Sequence, residues 1–300
     1  METGLILAII ASASFAVGIV LARKTAGEAG EAFSVTTFSI LAGIPIFAIV
    51  ITISGEWYKL TGISGRALGM LAAAGVIHFI AGRLLAYESF RLIGANRSMP
   101  FTQTSPIYTI ILSLIFLQEK ITGFVALGAV FMLTGAFLIT QEKKSFTGEI
   151  KKKFSRDEVK GILFALGAAL CWGITPVLIK PAVEESGSAV VGTLAAYLAA
   201  AVIIVIMLGD RTRRKRLTGL SLRKNMLLMA VAGIFTAAGQ LLYFTSLERS
   251  PANVIAPLMS IQLLFIFLLS YFINRRIELF SLKVALGIGA TVAGTILLFQ

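Results

Sequence analysis

A few polar side chains stand inside long apolar segments of this 300-residue sequence, and their types limit the chemistry open to it. Arg83 lies about six residues past the centre of its segment, or roughly 9 Å by helical rise. A guanidinium inside a membrane can line a wet cavity and take a carboxylate or comparable anion bidentately. Otherwise it snorkels to the interface or pairs with Glu88. His78, five residues earlier, can hydrogen-bond a substrate or relay a proton, or it is a neutral imidazole bonded to a neighbouring helix. Ser98, Thr102, Ser105 and Thr109 follow at spacings of 4, 3 and 4, which puts them on one helical stripe. Gln103 and Tyr108 lie beside that stripe, so the reading is a cavity lining in preference to a packing seam alone. Pro100 and Pro106 free backbone carbonyls there that need partners from protein or water. Further candidates are Trp172 beside Cys171, Thr175 and Pro176; Gln240; Asn253; and Gln262, near Pro257 and Ser260.

Other chemistries lack their residues. One cysteine, Cys171, makes no internal disulfide and no thiolate cage, and one histidine makes no His-His metal site. The expectation is therefore no metal and no cofactor. No Asp or Glu falls mid-segment, so the buried carboxylate that exchanges a proton for a cationic drug is missing. A membrane-embedded enzyme would need a Ser/His pair, paired aspartates or a metal site. No glycine-rich phosphate loop is present either.

The elements that position these residues follow from composition. Hydrophobic residues make up 57%, charged residues 14%, and the mean hydropathy is +0.90. A soluble domain is nearer a quarter charged. A helix needs about 20 apolar residues to cross roughly 30 Å of hydrocarbon. Ten such segments are expected, near 4–22, 33–53, 67–87, 98–117, 121–140, 160–180, 188–208, 226–247, 252–273 and 281–299. The fold class expected is an all-α integral membrane protein, because lipid leaves exposed backbone groups unpaired. The first segment follows Met1, Glu2 and Thr3 without a basic region, so it reads as a retained span and not a cleaved signal.

The polar stretch 141–160, with Lys151, Lys152 and Lys153 at its middle, divides the ten segments five and five. A constant shift of 157 residues places Gly82, Leu84, Leu85 and Ser89 on Gly239, Leu241, Leu242 and Ser246. The same shift places Phe15 on Trp172, Ala95-Asn96 on Ala252-Asn253, Pro100 on Pro257 and Arg83 on Gln240. Towards the ends the shift becomes 159, which places Gly128 and Gly135 on Gly287 and Gly294. Such coincidence argues an internal repeat. The division expected is a first five-helix repeat at 1–145, a basic linker at 146–158 and a second repeat at 159–300. Five is odd, so the copies are inverted, an architecture of secondary transporters with substrate near the midplane.

Ala169-Leu170-Cys171-Trp172-Gly173 in the sixth segment, Ala95-Asn96 at the fourth, Phe116-Leu117-Gln118-Glu119 ending the fourth, and the glycine-rich fifth and tenth segments occur in that order. In these motifs the chain resembles the EamA family of the drug/metabolite transporter superfamily, along nearly its whole length. It departs at Ala13-Ser14-Phe15-Ala16, where the family often has Trp-Gly. It departs again at Ile273-Asn274-Arg275-Arg276, where a second Phe-Leu-x-Glu would stand. The resemblance implies transport of small metabolites and leaves the substrate open.

The function expected is a secondary transporter of small polar metabolites, with carboxylate-bearing compounds such as amino acids foremost and export the direction. The alternatives are a channel-like facilitator and, more remotely, a membrane-embedded enzyme. The cavity should be walled by spans one, three, four, six, eight and nine, with five and ten at the periphery. The partners expected are a small-molecule substrate and the lipid bilayer, in a monomer or homodimer. The net charge of +12 does not indicate nucleic acid, because the basic residues gather in inter-helix loops. Odd-numbered connections hold 21 of the 27 Lys and Arg and even-numbered ones 5, with Arg83 the remainder. The positive-inside bias thus places loops 141–160 and 210–224 in the cytoplasm and both termini outside, in a plasma-membrane protein.

Overall fold

The computed structural model describes residues 2–25, 32–93, 98, 101–145, 156–211, 222–273 and 282–299. Asn96, Arg97 and Pro100, the linker 146–155 and Arg275-Arg276 lie outside them. The described elements are helices. They are α1 Glu2–Thr25, α2 Ala32–Ser54, α3 Gly65–Ile93, α4 Ser105–Phe116, α5 Gly123–Ser145, α6 Arg156–Ser186, α7 Ala189–Met207 and α8 Leu222–Arg249. Then come α9, whose halves Ala252–Leu258 and Gln262–Ile273 flank a 3₁₀ turn at Met259–Ile261, and α10 Leu282–Leu298. A six-residue helix, Trp57–Gly62, connects α2 to α3.

Six of these reach membrane-spanning length and hydropathy: α1, α2, α3, α6, α7 and the Ala230–Arg249 part of α8. Four more are apolar but shorter, at Ser105–Phe116, Gly123–Leu138, Ala252–Ile266 and Leu286–Leu298. Many large apolar side chains point outward, Ile53 at 82% exposure and Val205 at 67% among them. On a soluble protein this would be a continuous aggregation surface. The chain is a multi-pass membrane protein.

The helices meet in matched pairs. α1 packs on α8 as α3 packs on α6; α2 on α8 as α7 on α3; α1 on α9 as α6 on α4. Three further pairs are α2 with α7, α4 with α9 and α5 with α10. Each of these relations maps onto itself or its mate when a helix is exchanged for the one five places on. Glycine sets two equivalent close approaches: a Cβ at Gly82 would lie 2.6 Å from Trp172 Nε1, and one at Gly239 would lie 2.9 Å from Phe15 Cδ1. These are the residue pairs that the 157-residue shift relates.

α5 and α10 pack closely through their glycines, with Met132 and Leu298 seated over Gly294 and Gly128. A Cβ at Gly135 would lie 2.4 Å from Thr291 Oγ1 and 2.6 Å from the Gly287 carbonyl oxygen. Small residues let backbones approach in lipid, where no hydrophobic effect drives helices together.

At the end of the bundle where α2, α4, α6 and α8 finish, polar bonds cross between helices. Lys59 Nζ donates to the Gly187 carbonyl at 2.7 Å, and the Ser188 hydroxyl donates to Glu56. Lys180 Nζ donates to the carbonyls of Leu247 and Ser250 at 3.1 and 3.2 Å, capping the end of α8. Glu119 accepts from the backbone amides of Ala252 and Asn253 at 2.7 and 2.9 Å, capping α9. A helix N-terminus carries unpaired donors and a partial positive charge, so a carboxylate is its best partner.

Candidate functional site

Arg83 begins the last α-helical section of α3, after a π-helical stretch at Val76–Gly82. Its Nη1 donates to Ser39 Oγ at 2.9 Å, and that hydroxyl in turn donates to the Thr36 carbonyl at 2.9 Å. The guanidinium carbon stands 5.3 Å from the centre of the Phe79 ring, within cation–π range. Glu88 pairs instead with Arg91, at 2.8 Å. Five residues along an α-helix turn the side chain about 140° away, whereas three bring it back to the same face. Among the described residues no carboxylate pairs with Arg83.

Phe79, 1% exposed, gathers the other polar groups around it. The Tyr197 ring on α7 stands 4.6 Å away edge-on, and the His78 ring stands 4.8 Å away. Three buried polar atoms lack a hydrogen-bond partner on residues tied to this ring or to Arg83: Tyr197 Oη and His78 Nδ1, whose rings pack on Phe79, and Thr36 Oγ1, whose carbonyl takes the Ser39 bond. Such atoms are uncommon in folded proteins and each calls for a reason. Residues 36, 39 and 43 share one face of α2. The Tyr197 ring fills the space over Gly43, where a Cβ would lie 2.5 Å from Tyr197 Cε1.

Trp172 on α6 closes the neighbouring wall. Its Nε1 donates to the His78 carbonyl at 3.3 Å, inside the π-helical stretch. A π turn spaces its hydrogen bonds one residue wider than an α turn, and such insertions gather at functional sites. Gly82 lets the indole approach, and Cys171 Cβ is 3.3 Å from where a Gly82 Cβ would be. His78 is thus in contact with Trp172, and Arg83 follows Gly82, against which the indole packs. Thr36, Ser39 and Tyr197 join them from α2 and α7, spans the sequence reading left out of the wall.

The fourth-span stripe is divided. A turn at Gln103–Thr104 precedes α4, which begins at Ser105 with Pro106 in the first turn, where its missing amide costs nothing. Ser98 accepts a 2.6 Å bond from Ser89 of α3. Thr109 donates to the Gly173 carbonyl of α6 at 2.9 Å and to Ser105 at 3.4 Å. The Ser89–Ser98 and Thr109–Gly173 bonds tie the fourth span to α3 and α6, and the Ser105 bond stays within α4. Thr102 is buried, and Gln103 and Ser105 are half-buried.

Gln240 is 1% exposed with Nε2 unpartnered, and Gln262 is half-buried at the start of the second half of α9. Nearby on α9, Met259 Sδ accepts from Ser12 at 3.5 Å. Asn253 does not join the Arg83 group. It stands at the capped end of α9, with Nδ2 donating to the Lys120 carbonyl at 3.3 Å. Among the described residues no cluster of three His, Cys, Asp or Glu could hold a metal.

Comparison with known proteins finds relatives along the whole chain. The family model described as the EamA-like transporter family matches residues 2–141 and 159–300. A protein of Clostridium kluyveri named an uncharacterized transporter is 25% identical over 236 residues, spanning 78% of this chain and 72% of its own. Human solute carrier family 35 member G1 is 25% identical over 277 residues, 88% of this chain and 70% of its own. A solved crystal structure superposes with a TM-score of 0.80 at 14% identity, covering 98% of this chain and 94% of the other, which shows a shared fold.

Proposed function

Because the chain belongs to the EamA-like transporter family, we propose that it is a secondary transporter that exports amino acids or other small carboxylate-bearing metabolites. Arg83 carries this reading. It is the one basic residue deep in a span, and among the described residues no acid neutralises it. A transported anion supplies the missing charge without a permanently buried pair.

The mechanism is alternating access between two inverted five-helix repeats, ten spans in all. The matched helix pairs and the equivalent Gly82–Trp172 and Gly239–Phe15 contacts support the repeats. In one state the substrate reaches Arg83 where α3 meets α2 and α7 and exchanges its water for the guanidinium fork, with Trp172 closing the far side of α3. Rocking of one repeat against the other must break the bonds at the stitched end of the bundle, including Glu119 on α9 and Ser188 on Glu56. By charge bias that end is outside the plasma membrane, along with the termini. A cysteine at Ser145 labelled by an impermeant thiol reagent in intact cells would overturn that orientation.

The test is counterflow of a ¹⁴C-labelled mixture of L-amino acids in proteoliposomes. Uptake accelerated by unlabelled mixture on the opposite face is expected of a carrier and not of a channel. Arg83→Gln, which copies Gln240, should insert normally and lose most of the uptake. Normal uptake by that variant removes the substrate-class reading.

A further inference from the structure

We propose that the Tyr197 hydroxyl is a second donor to the substrate carboxylate and, with Thr36 and His78, makes the surroundings of Phe79 and Arg83 an α-amino-acid subsite. The inference rests on Arg83 as the carboxylate receiver.

Five described buried side-chain atoms lack a hydrogen-bond partner. Three of them, on Thr36, His78 and Tyr197, come from three different helices: the His78 and Tyr197 rings pack on Phe79, the ring under the Arg83 guanidinium, and the Thr36 carbonyl accepts from Ser39, which holds that guanidinium. Tyr197 and Phe79 are both fully enclosed, at 0% and 1% exposure, and Phe47 clamps the Tyr197 ring from α2 with centroids 4.8 Å apart. The ring is therefore held by apolar packing alone, and its polar end is left over. Tyrosine is a costly choice there if packing is its only task, because phenylalanine would fill the same space without burying a hydroxyl.

The unpaired set has a recognisable complement. Arg83 only donates, and the hydroxyls of Tyr197 and Thr36 can donate as well. A neutral imidazole with its proton on Nε2 offers Nδ1 as an acceptor. A carboxylate accepts only and an ammonium donates only. An α-amino acid presents both groups one carbon apart, so its carboxylate answers Arg83, Tyr197 and Thr36 while its ammonium answers His78. A simple monocarboxylate would leave the His78 nitrogen unpaired. Ser39 completes the arrangement by holding the guanidinium over Phe79.

The test is Tyr197→Phe in the same counterflow assay with the ¹⁴C-labelled L-amino acid mixture. Loss of a hydrogen bond to a charged group should raise the half-saturation concentration about tenfold or more. The rate at saturation should stay within about threefold of wild type, and membrane insertion and thermal midpoint should be unchanged. A merely structural tyrosine would lower protein yield and maximal rate and leave half-saturation alone. Thr36→Val, which keeps the β-branched shape, should move half-saturation the same way by a smaller factor. It carries the test if Tyr197→Phe fails to insert. Unchanged half-saturation in both variants, with Arg83→Gln still defective, overturns this subsite and leaves the proposed function standing. Normal transport by Arg83→Gln overturns both.

Discussion

Removing the carboxylate of Glu119 should loosen α9 at its first turn. Oε1 accepts from the Ala252 amide and Oε2 from the Asn253 amide, and both residues are 0% exposed. Water cannot replace a partner there. Loss of a helix cap costs about 0.5–2 kcal/mol, and the charge at the positive end of the helix dipole adds about 0.3–1 kcal/mol. For Glu119→Ala about 2–3 kcal/mol is expected; Glu119→Gln keeps one acceptor oxygen and should cost about 1 kcal/mol. With an unfolding entropy of about 2.1 cal/mol/K per residue, 300 residues turn these costs into a fall in midpoint of about 3–5 °C and about 1–2 °C. The sole cysteine, Cys171, is half-buried, so a thiol-reactive fluorogenic dye can report unfolding in detergent. Gln118 is the internal control. It holds φ at 52°, a left-handed conformation that glycine adopts more easily. Gln118→Gly should therefore leave the midpoint unchanged or raise it. An alanine variant at Glu119 that melts with wild type would refute the cap as a stabilising element.

The seam between α5 and α10 makes a contrast between two glycines. Gly135→Leu drives side-chain atoms into Thr291 and the Gly287 backbone and should cost at least about 1–3 kcal/mol, or prevent folding. A Cβ at Gly289 meets nothing within 4 Å, so Gly289→Leu should melt close to wild type; equal midpoints for the two would contradict the seam. At the stitched end of the bundle, the Ser188 hydroxyl bond holds the Glu56 carboxyl below its ordinary 4.5, aided by Lys59 and opposed by partial burial. A depressed carboxyl stabilises the fold above its unfolded value and loses that contribution as pH falls through the folded one. Melting should therefore fall between pH 7 and pH 3 by less in Glu56→Gln than in wild type; identical pH profiles would remove Glu56 as a contributor.

Several features were legible in the sequence because they depend on the chain's own pattern. The apolar segments gave the helices, and glycine paired with an aromatic in register gave the Gly82–Trp172 and Gly239–Phe15 contacts. The motif ending in Glu119 was visible, but its task was not, since the amides it caps lie 133 and 134 residues away. Arg83 could be singled out by depth alone. Its partner could not, because Ser39 belongs to another helix and the nearer Glu88 was the only carboxylate the local sequence offered. Thr36 and Ser39 left a faint signal as small polar residues sharing a face with Gly43. Tyr197 left none, because α7 is apolar on every side and so has no periodic face to read. The π-helical stretch in α3 and the 3₁₀ turn in α9 likewise come from tertiary packing. The fourth span began later than its apolar run because Pro106 favours a helix start.

The central claim is that a carboxylate-bearing substrate is held at the Arg83 guanidinium, where α3 meets α2 and α7. Cys171 packs against Gly82, the residue before Arg83, and is the chain's only thiol, so its alkylation by N-ethylmaleimide in proteoliposomes reads occupancy beside Arg83. In wild type, a saturating L-amino acid mixture should slow modification at least about tenfold, and in Arg83→Gln it should have little effect. Equal protection of both proteins, or no protection of a wild type that transports the mixture, would contradict the account.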